Sequence, residues 1–151
     1  MAGSVDEVAG DLHITAAQRL RQVGQRYTTG RQAIVEILDR AGQPRTIPEI
    51  LAAGRGLAQS SAYRNLAVLE QAGVVRRLVT NAEFARYELA EDLTSHHHHL
   101  ICSACGGVED FTAPTALERS VGRTMSAVTE STGFAPDHHR LDLIGTCSTC
   151  R

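Results

Sequence analysis

The chain of 151 residues contains no tryptophan, and aromatic residues make up only 4% of it. This composition predicts modest hydrophobic cores, a weakness that a bound metal ion can compensate. The chain also has no apolar run long enough to span a membrane, and its acidic first residues lack the basic-then-apolar pattern of an export signal. We therefore expect a globular, cytoplasmic protein without a membrane partner.

Familiar catalytic motifs are missing as well. The sequence contains no H-E-x-x-H, no H-x-E followed by P-C-x-x-C, and no candidate pair of nucleophile and base. A metalloenzyme is therefore disfavoured, and we expect that the protein is not an enzyme. Another possible class is a protein-interaction module that is stabilised by bound zinc and does not bind DNA.

The four cysteines are confined to two C-x-x-C pairs, Cys102 with Cys105 and Cys147 with Cys150. Two such pairs can supply the four thiolates of a closed tetrahedral zinc site. In a reducing compartment paired cysteines more often hold metal than form disulfides. The spacing therefore predicts a structural Zn²⁺.

Four consecutive histidines, His96 to His99, directly precede the first cysteine pair. An affinity tag is an alternative origin, but a tag lies at a terminus and is not followed by Leu-Ile-Cys. In an extended strand His97 and His99 would point to one face, and His96 and His98 to the other. One strand can then contribute to two metal sites, although a plain polar surface strand is the alternative.

Oxygen and nitrogen donors that could complete such sites surround the run. Sites of this kind accept Fe²⁺, Mn²⁺, Ni²⁺, Co²⁺ or Zn²⁺, and affinity alone does not identify the metal. The candidate donors are Glu88, Glu91, Asp92, Glu109, Asp110, Glu118, His138 and His139.

Charge is divided along the chain. Residues 1–12 carry three acidic residues, residues 13–87 carry eleven arginines against five acidic residues, and residues 88–151 carry four arginines against nine. A basic middle part and an acidic, ligand-rich C-terminal part suggest a polyanion-binding module coupled to a cation-binding one.

Hydrophobic periodicity and turn signals predict an α+β protein. Helices are expected over Thr15–Val23 and Thr29–Ala41, from the capping box at Thr46, and from Ser60 or Ser61 to Ala72. A hairpin of Val74–Val79 and Phe84–Leu89 follows, with its turn at 80–82. Helices followed by a two-stranded wing are the order of a winged helix-turn-helix.

The C-terminal part is predicted to be a small α/β domain. Its expected strands are His96–Cys102, Val108–Phe111 and His139–Gly145, with a helix over Pro114–Thr132. So few elements leave an edge and an apolar face that two copies could share, which predicts a dimer. The expected divisions are a mobile N-terminus (1–12), a DNA-binding domain (13–90), a linker (91–95) and a dimerisation domain (96–151).

The start of the fourth helix carries side chains suited to DNA. Ser61, Tyr63 and Arg64 lie near its N-terminus, where phosphate and base-edge contacts are favourable. Arg26 and Arg31 flank the start of the second helix and could clamp the DNA backbone. Each of these could equally be an ordinary surface residue, and Tyr63 a partly buried aromatic.

Taken together, these motifs resemble the ferric uptake regulator (Fur) superfamily of metal-responsive bacterial repressors. The resemblance runs from about Leu20 to Cys150. It rests on Tyr27-Thr28-x-x-Arg31, on the segment Ser61 to Val74, on Arg86-Tyr87-Glu88-Leu89, on the histidine run with Leu-Ile-Cys-x-x-Cys-Gly, and on Gly145-Thr146-Cys147-x-x-Cys150.

The resemblance implies three metal sites and a homodimer. Structural zinc would be held by Cys102, Cys105, Cys147 and Cys150. The regulatory metal, Fe²⁺, Zn²⁺, Mn²⁺ or Ni²⁺, would be held by Glu88, His97, His99 and Asp110. A second site would use His96, His98, Glu118 and His139. The metal-loaded homodimer would bind an AT-rich inverted-repeat operator in double-stranded DNA and repress transcription, with Tyr63 reading bases and Arg64 holding phosphate. An iron-based peroxide sensor is the alternative within the family.

The sequence departs from the family pattern in the loop before the third helix. Many members have a regulatory histidine there, whereas this chain has Gly42-Gln43-Pro44-Arg45. Glu88 alone, Glu91, Asp92 or His13 would have to serve instead. The chain also lacks the cysteine that zinc-sensing members often place ahead of the histidine run.

Overall fold

The computed structural model describes residues 5–80 and 83–151. The chain divides into two compact units, residues 1–95 and residues 96–151. Within the described residues, no helix is long and apolar enough to cross a membrane. The N-terminal unit combines several helices with a three-stranded sheet, and the C-terminal unit combines one helix with a three-stranded sheet, so the α+β prediction is confirmed.

The described residues of the N-terminal unit form four α-helices and three strands. In chain order these are α1 (Val5–Gln22), α2 (Thr29–Ala41), β1 (Arg45–Thr46), α3 (Ile47–Ala53), α4 (Gln59–Gln71), β2 (Val75–Leu78) and β3 (Arg86–Leu89), followed by a 3₁₀ turn (Glu91–Leu93). The sheet order is β1-β3-β2, and both pairings are antiparallel. The predicted helices and wing are present, but some of their bounds differ. Helix α4 begins at Gln59 without a side-chain cap, so Ser60 and Ser61 lie inside the helix, and β2 and β3 are shorter than predicted. Strand β1 was not predicted because it has only two residues.

The local sequence explains where α2 ends and where α3 begins. Gly42 ends α2 in the left-handed conformation, with φ of 59°, which glycine adopts without steric cost. Thr46 caps α3: its side chain accepts a bond from the Glu49 N–H, and the Glu49 carboxylate accepts one from the Thr46 N–H. The predicted capping box is therefore confirmed.

Helix α1 begins ten residues earlier than the predicted Thr15. The buried residues Leu12, Ala16 and Leu20 account for the helix as far back as Leu12, because side chains four residues apart form one apolar stripe. Residues 5–12, predicted to be mobile, thus all lie in α1, while residues 1–4 lie outside the described residues. Residues 81 and 82 of the predicted wing turn also lie outside them.

The N-terminal unit is built around one apolar core. Its fully buried members come from all the long helices and from the segment that leads into the wing, and they include Leu20, Ile34, Ile50, Leu66, Leu69 and Val74. In α4, Ala62, Leu66 and Leu69 face this core. The opposite side of α4 is consequently left at the surface.

The C-terminal unit has three strands and one helix: β4 (His98–Cys102), β5 (Val108–Phe111), α5 (Thr115–Thr132) and β6 (Asp142–Gly145). The central strand β4 pairs antiparallel with β5 and parallel with β6. Strands β4 and β6 are shorter than predicted, since His96 and His97 precede β4 and residues 139–141 precede β6. The predicted bounds of β5 are confirmed, and α5 begins one residue after the predicted Pro114.

Candidate metal centres

Four thiols meet at one end of the C-terminal sheet. Cys102 ends β4, and Cys105 lies in the turn that follows; Cys147 and Cys150 follow β6, which pairs with β4 so that Cys102 faces Gly145. The four Sγ atoms lie within 4.8 Å of one another, and those of Cys105 and Cys147 are 3.9 Å apart. Sulfurs bound tetrahedrally to zinc at about 2.3 Å are about 3.8 Å apart, so the thiols fit a zinc ion.

Backbone groups prepare one of these thiols for metal binding. The N–H of Cys147 donates to Cys102 Sγ over 3.4 Å. Bonds of this kind from the N–H groups of Cys105 and Cys147 lower the pKa of Cys102 to about 6. Because the thiolate is the form that binds metal, the fold favours the ligand form of this side chain before an ion arrives.

A second cluster forms around Glu118, in the first turn of α5. His98 Nε2 lies 2.6 Å from Glu118 Oε1, and His139 Nε2 and His96 Nε2 lie 3.1 and 3.4 Å from Oε2. The bond to His98 lowers the pKa of Glu118. Although His139 Nε2 is buried and close to Glu118, it makes no hydrogen bond within the described part of the chain. Three imidazoles and one carboxylate suit a divalent transition metal.

A third cluster contains His97, His99 and Asp110. The β4–β5 register sets His99 opposite Asp110. His97 Nε2 lies 3.7 Å from Asp110 Oδ2, and His99 Nε2 lies 3.9 Å from Asp110 Oδ1. These distances are too long for good hydrogen bonds, yet the donor atoms are close enough to bind one ion together. His99 is only 1% exposed.

Asp142 lies beside His99 and is not among the candidate donors predicted from the sequence. It lies at the start of β6, in register with His99 on β4, and its Oδ1 is 3.4 Å from His99 Nδ1. The signal in the sequence was an acidic residue inside an apolar strand. Only the parallel pairing of β6 with β4 shows which histidine it faces.

Each of the four candidates for the missing loop ligand has a partner within the N-terminal unit. Arg76, opposite Glu88 in the β2–β3 register, donates from Nε to Glu88 Oε1 over 2.9 Å and from Nη2 to the same oxygen. Arg76 Nη1 is also 3.7 Å from Glu91 Oε2. The other two candidates have partners of their own: Asp92 pairs with Arg19, and His13 Nδ1 is 2.6 Å from Tyr27 Oη. Glu88 is the most buried of the four, at 5% exposed.

The predicted DNA-binding residues differ in their exposure. Ser61, Tyr63 and Arg64 lie on the exposed side of α4, and Arg26 is exposed before α2. Arg31 is 8% exposed, and it donates to the Arg26 carbonyl, to Gln25 Oε1 and to Asn65 Oδ1. In this position Arg31 connects the start of α2 to α4, so a direct DNA contact by Arg31 stays a prediction.

Comparison with known proteins adds independent findings. A sequence model described as the ferric uptake regulator family matches residues 22–144. The peroxide operon regulator of Bacillus subtilis is 31% identical over 139 residues, which cover 89% of this chain and 90% of that protein. A peroxide-responsive repressor, PerR, of Staphylococcus aureus is 30% identical over 155 residues, covering 100% of this chain and 99% of the relative.

Two solved structures share the fold. The ferric uptake regulator of Pseudomonas aeruginosa with manganese has a TM-score of 0.66 at 26% identity, covering 87% of this chain and 96% of that one. The Helicobacter pylori regulator Fur, whose structure is described as having three functional metal-binding sites, has a TM-score of 0.69 at 24% identity, with coverage of 98% and 94%.

Proposed function

This chain belongs to the ferric uptake regulator family, and from this we infer how its metal-dependent repression is switched. The protein is a metal-dependent transcriptional repressor and not an enzyme. Structural zinc and a second divalent metal are its cofactors. We propose that the zinc is held by the four cysteines and that the regulatory ion is held by His97, His99 and Asp110 together with Glu88.

The arrangement of His97, His99 and Asp110 is the observation that supports this regulatory site. Their ligand atoms lie close enough together to bind one ion, and Asp110 is 3.7 and 3.9 Å from the two imidazoles. Two imidazoles and a carboxylate are a donor set that suits a divalent transition metal. We propose the cluster around Glu118, in which His98 Nε2 is 2.6 Å from Glu118 Oε1, as the second site.

We assign the fourth regulatory ligand to Glu88 on the strength of the family resemblance and its position in the wing. A ligand from the DNA-binding part would let metal binding restrict the orientation of α4 on DNA. Since Arg76 binds the Glu88 carboxylate, metal binding there would involve sharing or displacing the guanidinium.

We further propose that the protein acts in the cytoplasm as a homodimer on an AT-rich inverted-repeat operator. The apolar surface of the C-terminal unit supports a dimer: Leu117, Val128, Leu143 and Ile144 are 37 to 73% exposed. On the exposed side of α4, Tyr63 would read bases and Arg64 and Ser61 would contact phosphates, while Arg26 would contact the backbone nearby.

Operator binding by the full-length protein tests the switch. Affinity is measured at fixed ionic strength across a panel of Fe²⁺, Mn²⁺, Zn²⁺ and Ni²⁺, in the wild type and in His97→Ala/His99→Ala. The wild type should bind more tightly with its cognate ion, and the double variant should lose that response. His138→Ala is the matched control, because His138 is exposed and lies outside the three clusters. A double variant that still responds like the wild type would refute the site.

Peroxide sensing is a second candidate function, favoured by 31% identity to a peroxide operon regulator and 30% identity to a peroxide-responsive repressor. Bound Fe²⁺ would supply the redox chemistry that oxidises a ligand histidine. Treatment of the iron-loaded protein with hydrogen peroxide should then abolish operator binding and add the mass of one oxygen to a peptide containing His97 or His99. Manganese-loaded protein should be unaffected. DNA binding that survives peroxide with iron bound would exclude this function.

A further inference from the structure

His99 is held between two carboxylates on neighbouring strands. It lies on the central strand β4, with Asp110 opposite it on β5 and Asp142 in register on β6. Its side chain is almost completely buried, at 1% exposed. A buried imidazole needs partners for both ring nitrogens, because an unsatisfied polar atom in the interior is costly.

The two carboxylates face different ring nitrogens. Asp142 Oδ1 lies 3.4 Å from His99 Nδ1, whereas Asp110 Oδ1 lies 3.9 Å from His99 Nε2. An ionised carboxylate can only accept a hydrogen bond. Asp142 therefore favours the tautomer with the proton on Nδ1, which leaves the lone pair of Nε2 directed toward His97 and Asp110.

Asp142 is itself held in place by a third residue. Arg140 Nη2 donates to Asp142 Oδ2 over 2.8 Å, on the carboxylate oxygen that does not face His99. The guanidinium binds Oδ2 and leaves Oδ1 for the imidazole. A chain of contacts thus runs from the exposed Arg140 through Asp142 to His99, in the cluster of candidate metal ligands.

We propose that Asp142 is a positioning residue for the regulatory metal: it fixes the tautomer and the ring orientation of His99 without binding the ion. The inference rests on the proposed role of His99 as a regulatory ligand. Carboxylates that accept the second ring proton of a ligating histidine increase its basicity, and their loss typically weakens metal binding by about 10- to 100-fold. An ion on Nε2 would lie on the far side of the ring from Asp142, which argues against direct coordination.

Metal affinity of the full-length, zinc-loaded protein is the first measurement. Competition with a chelator of known affinity gives the dissociation constant for Co²⁺ in the wild type, Asp142→Ala, Asp142→Asn and Asp137→Asn. We expect Asp142→Ala to bind about 10- to 100-fold more weakly and Asp142→Asn to show a smaller loss, because its amide oxygen can still accept the bond. Asp137→Asn is the matched control and should bind normally, since it removes one exposed charge shortly before β6.

A spectroscopic readout separates positioning from coordination and from misfolding. In the Co²⁺-loaded wild type, the His99 Nδ1 proton should give a shifted NMR resonance that exchanges slowly with water. In Asp142→Ala this resonance should exchange fast and disappear, while the visible absorption of Co²⁺ keeps its shape because no ligand is lost. Asp142→Asn, which is nearly identical in shape, should retain the wild-type circular dichroism spectrum.

Two outcomes would overturn the inference. An unchanged affinity in Asp142→Ala would remove the positioning role, and altered Co²⁺ absorption would make Asp142 a direct ligand. The variant His99→Ala distinguishes failure of the inference about Asp142 from failure of the proposed function. If His99→Ala weakens binding but Asp142→Ala does not, only the inference is wrong; if His99→Ala has no effect, the proposed regulatory site is wrong as well.

Discussion

The two units of this protein are stabilised in different ways. The N-terminal unit packs Leu20, Ile34 and Leu69 into an apolar core from which water is excluded. In the C-terminal unit, the buried side chains that the structure describes include Cys102, His98 and His99, all candidate metal ligands, and none of the described residues of α5 is buried. Because candidate ligands make up much of this small interior, beside the apolar Val108 and Ala113, we expect the C-terminal unit to depend on bound metal for its stability. An unburied amphipathic helix is suited to packing against a second copy of the chain.

The largest expected effect is on the zinc site. Removal of zinc by a strong chelator, or Cys102→Ser, should unfold residues 96–151 but leave residues 1–95 folded, because binding of a structural zinc contributes about 10 kcal/mol or more. Limited proteolysis followed by mass spectrometry would locate the cleavage sites. Ser148→Ala, between the two cysteines of the second pair, is the control and should resist protease like the wild type. Equal cleavage in both units would contradict the expectation that only the C-terminal unit depends on zinc.

The next effect contrasts a buried with an exposed apolar residue. Leu69→Ala, at 0% exposed in α4, should lower the free energy of unfolding by about 2–5 kcal/mol, because it leaves a cavity. Val128→Ala, at 37% exposed in α5, should cost less in the monomer but weaken the dimer. Denaturation monitored by circular dichroism at several protein concentrations distinguishes these. A concentration-independent loss of several kcal/mol in Val128→Ala would contradict this difference.

How much the sequence could predict depends on the range of the interactions. The capping box at Thr46 and the two histidine faces were predictable, because they depend on residues a few positions apart. The position of Asp142 was not, since its contact with His99 requires the pairing of strands more than forty residues apart in sequence. Likewise, the contact of Arg31 with Asn65 joins two helices and spans 34 residues of sequence. The family resemblance, the fold class and the repressor function predicted from the motifs are confirmed.

The ion pair inside the wing gives a smaller effect. Arg76→Met should destabilise the N-terminal unit by about 1–3 kcal/mol, because it leaves the buried Glu88 carboxylate without its charged partner. Arg77→Met removes the same charge from the adjacent, exposed position of β2 and should cost roughly 0.5 kcal/mol or less. Thermal unfolding in metal-free buffer measures both. Equal losses of stability in the two variants would show that the change in net charge, and not the loss of the Arg76–Glu88 ion pair, causes the destabilisation.

The smallest effect is expected at the surface pair of Arg19 and Asp92. The bond from Arg19 lowers the pKa of Asp92, so the pair stabilises the fold above the ordinary pKa of the carboxyl group. That contribution is lost as the pH falls through the lowered pKa. Because Asp92 is largely exposed, Asp92→Asn should cost less than about 1 kcal/mol at neutral pH and almost nothing in acid. A cost that grows on acidification would contradict this sign.

The central claim is that the structural zinc and the regulatory metal are separate ions with separate roles. The most direct test measures metal content per protomer and operator affinity, both before and after mild chelation. We predict that mild chelation removes the regulatory ion and lowers operator affinity by about 5- to 150-fold, the usual range of such coupling, while one zinc per protomer stays with the four cysteines. Unchanged operator affinity after the labile ion has been removed, or loss of affinity only when the cysteine-bound zinc leaves, would contradict the account.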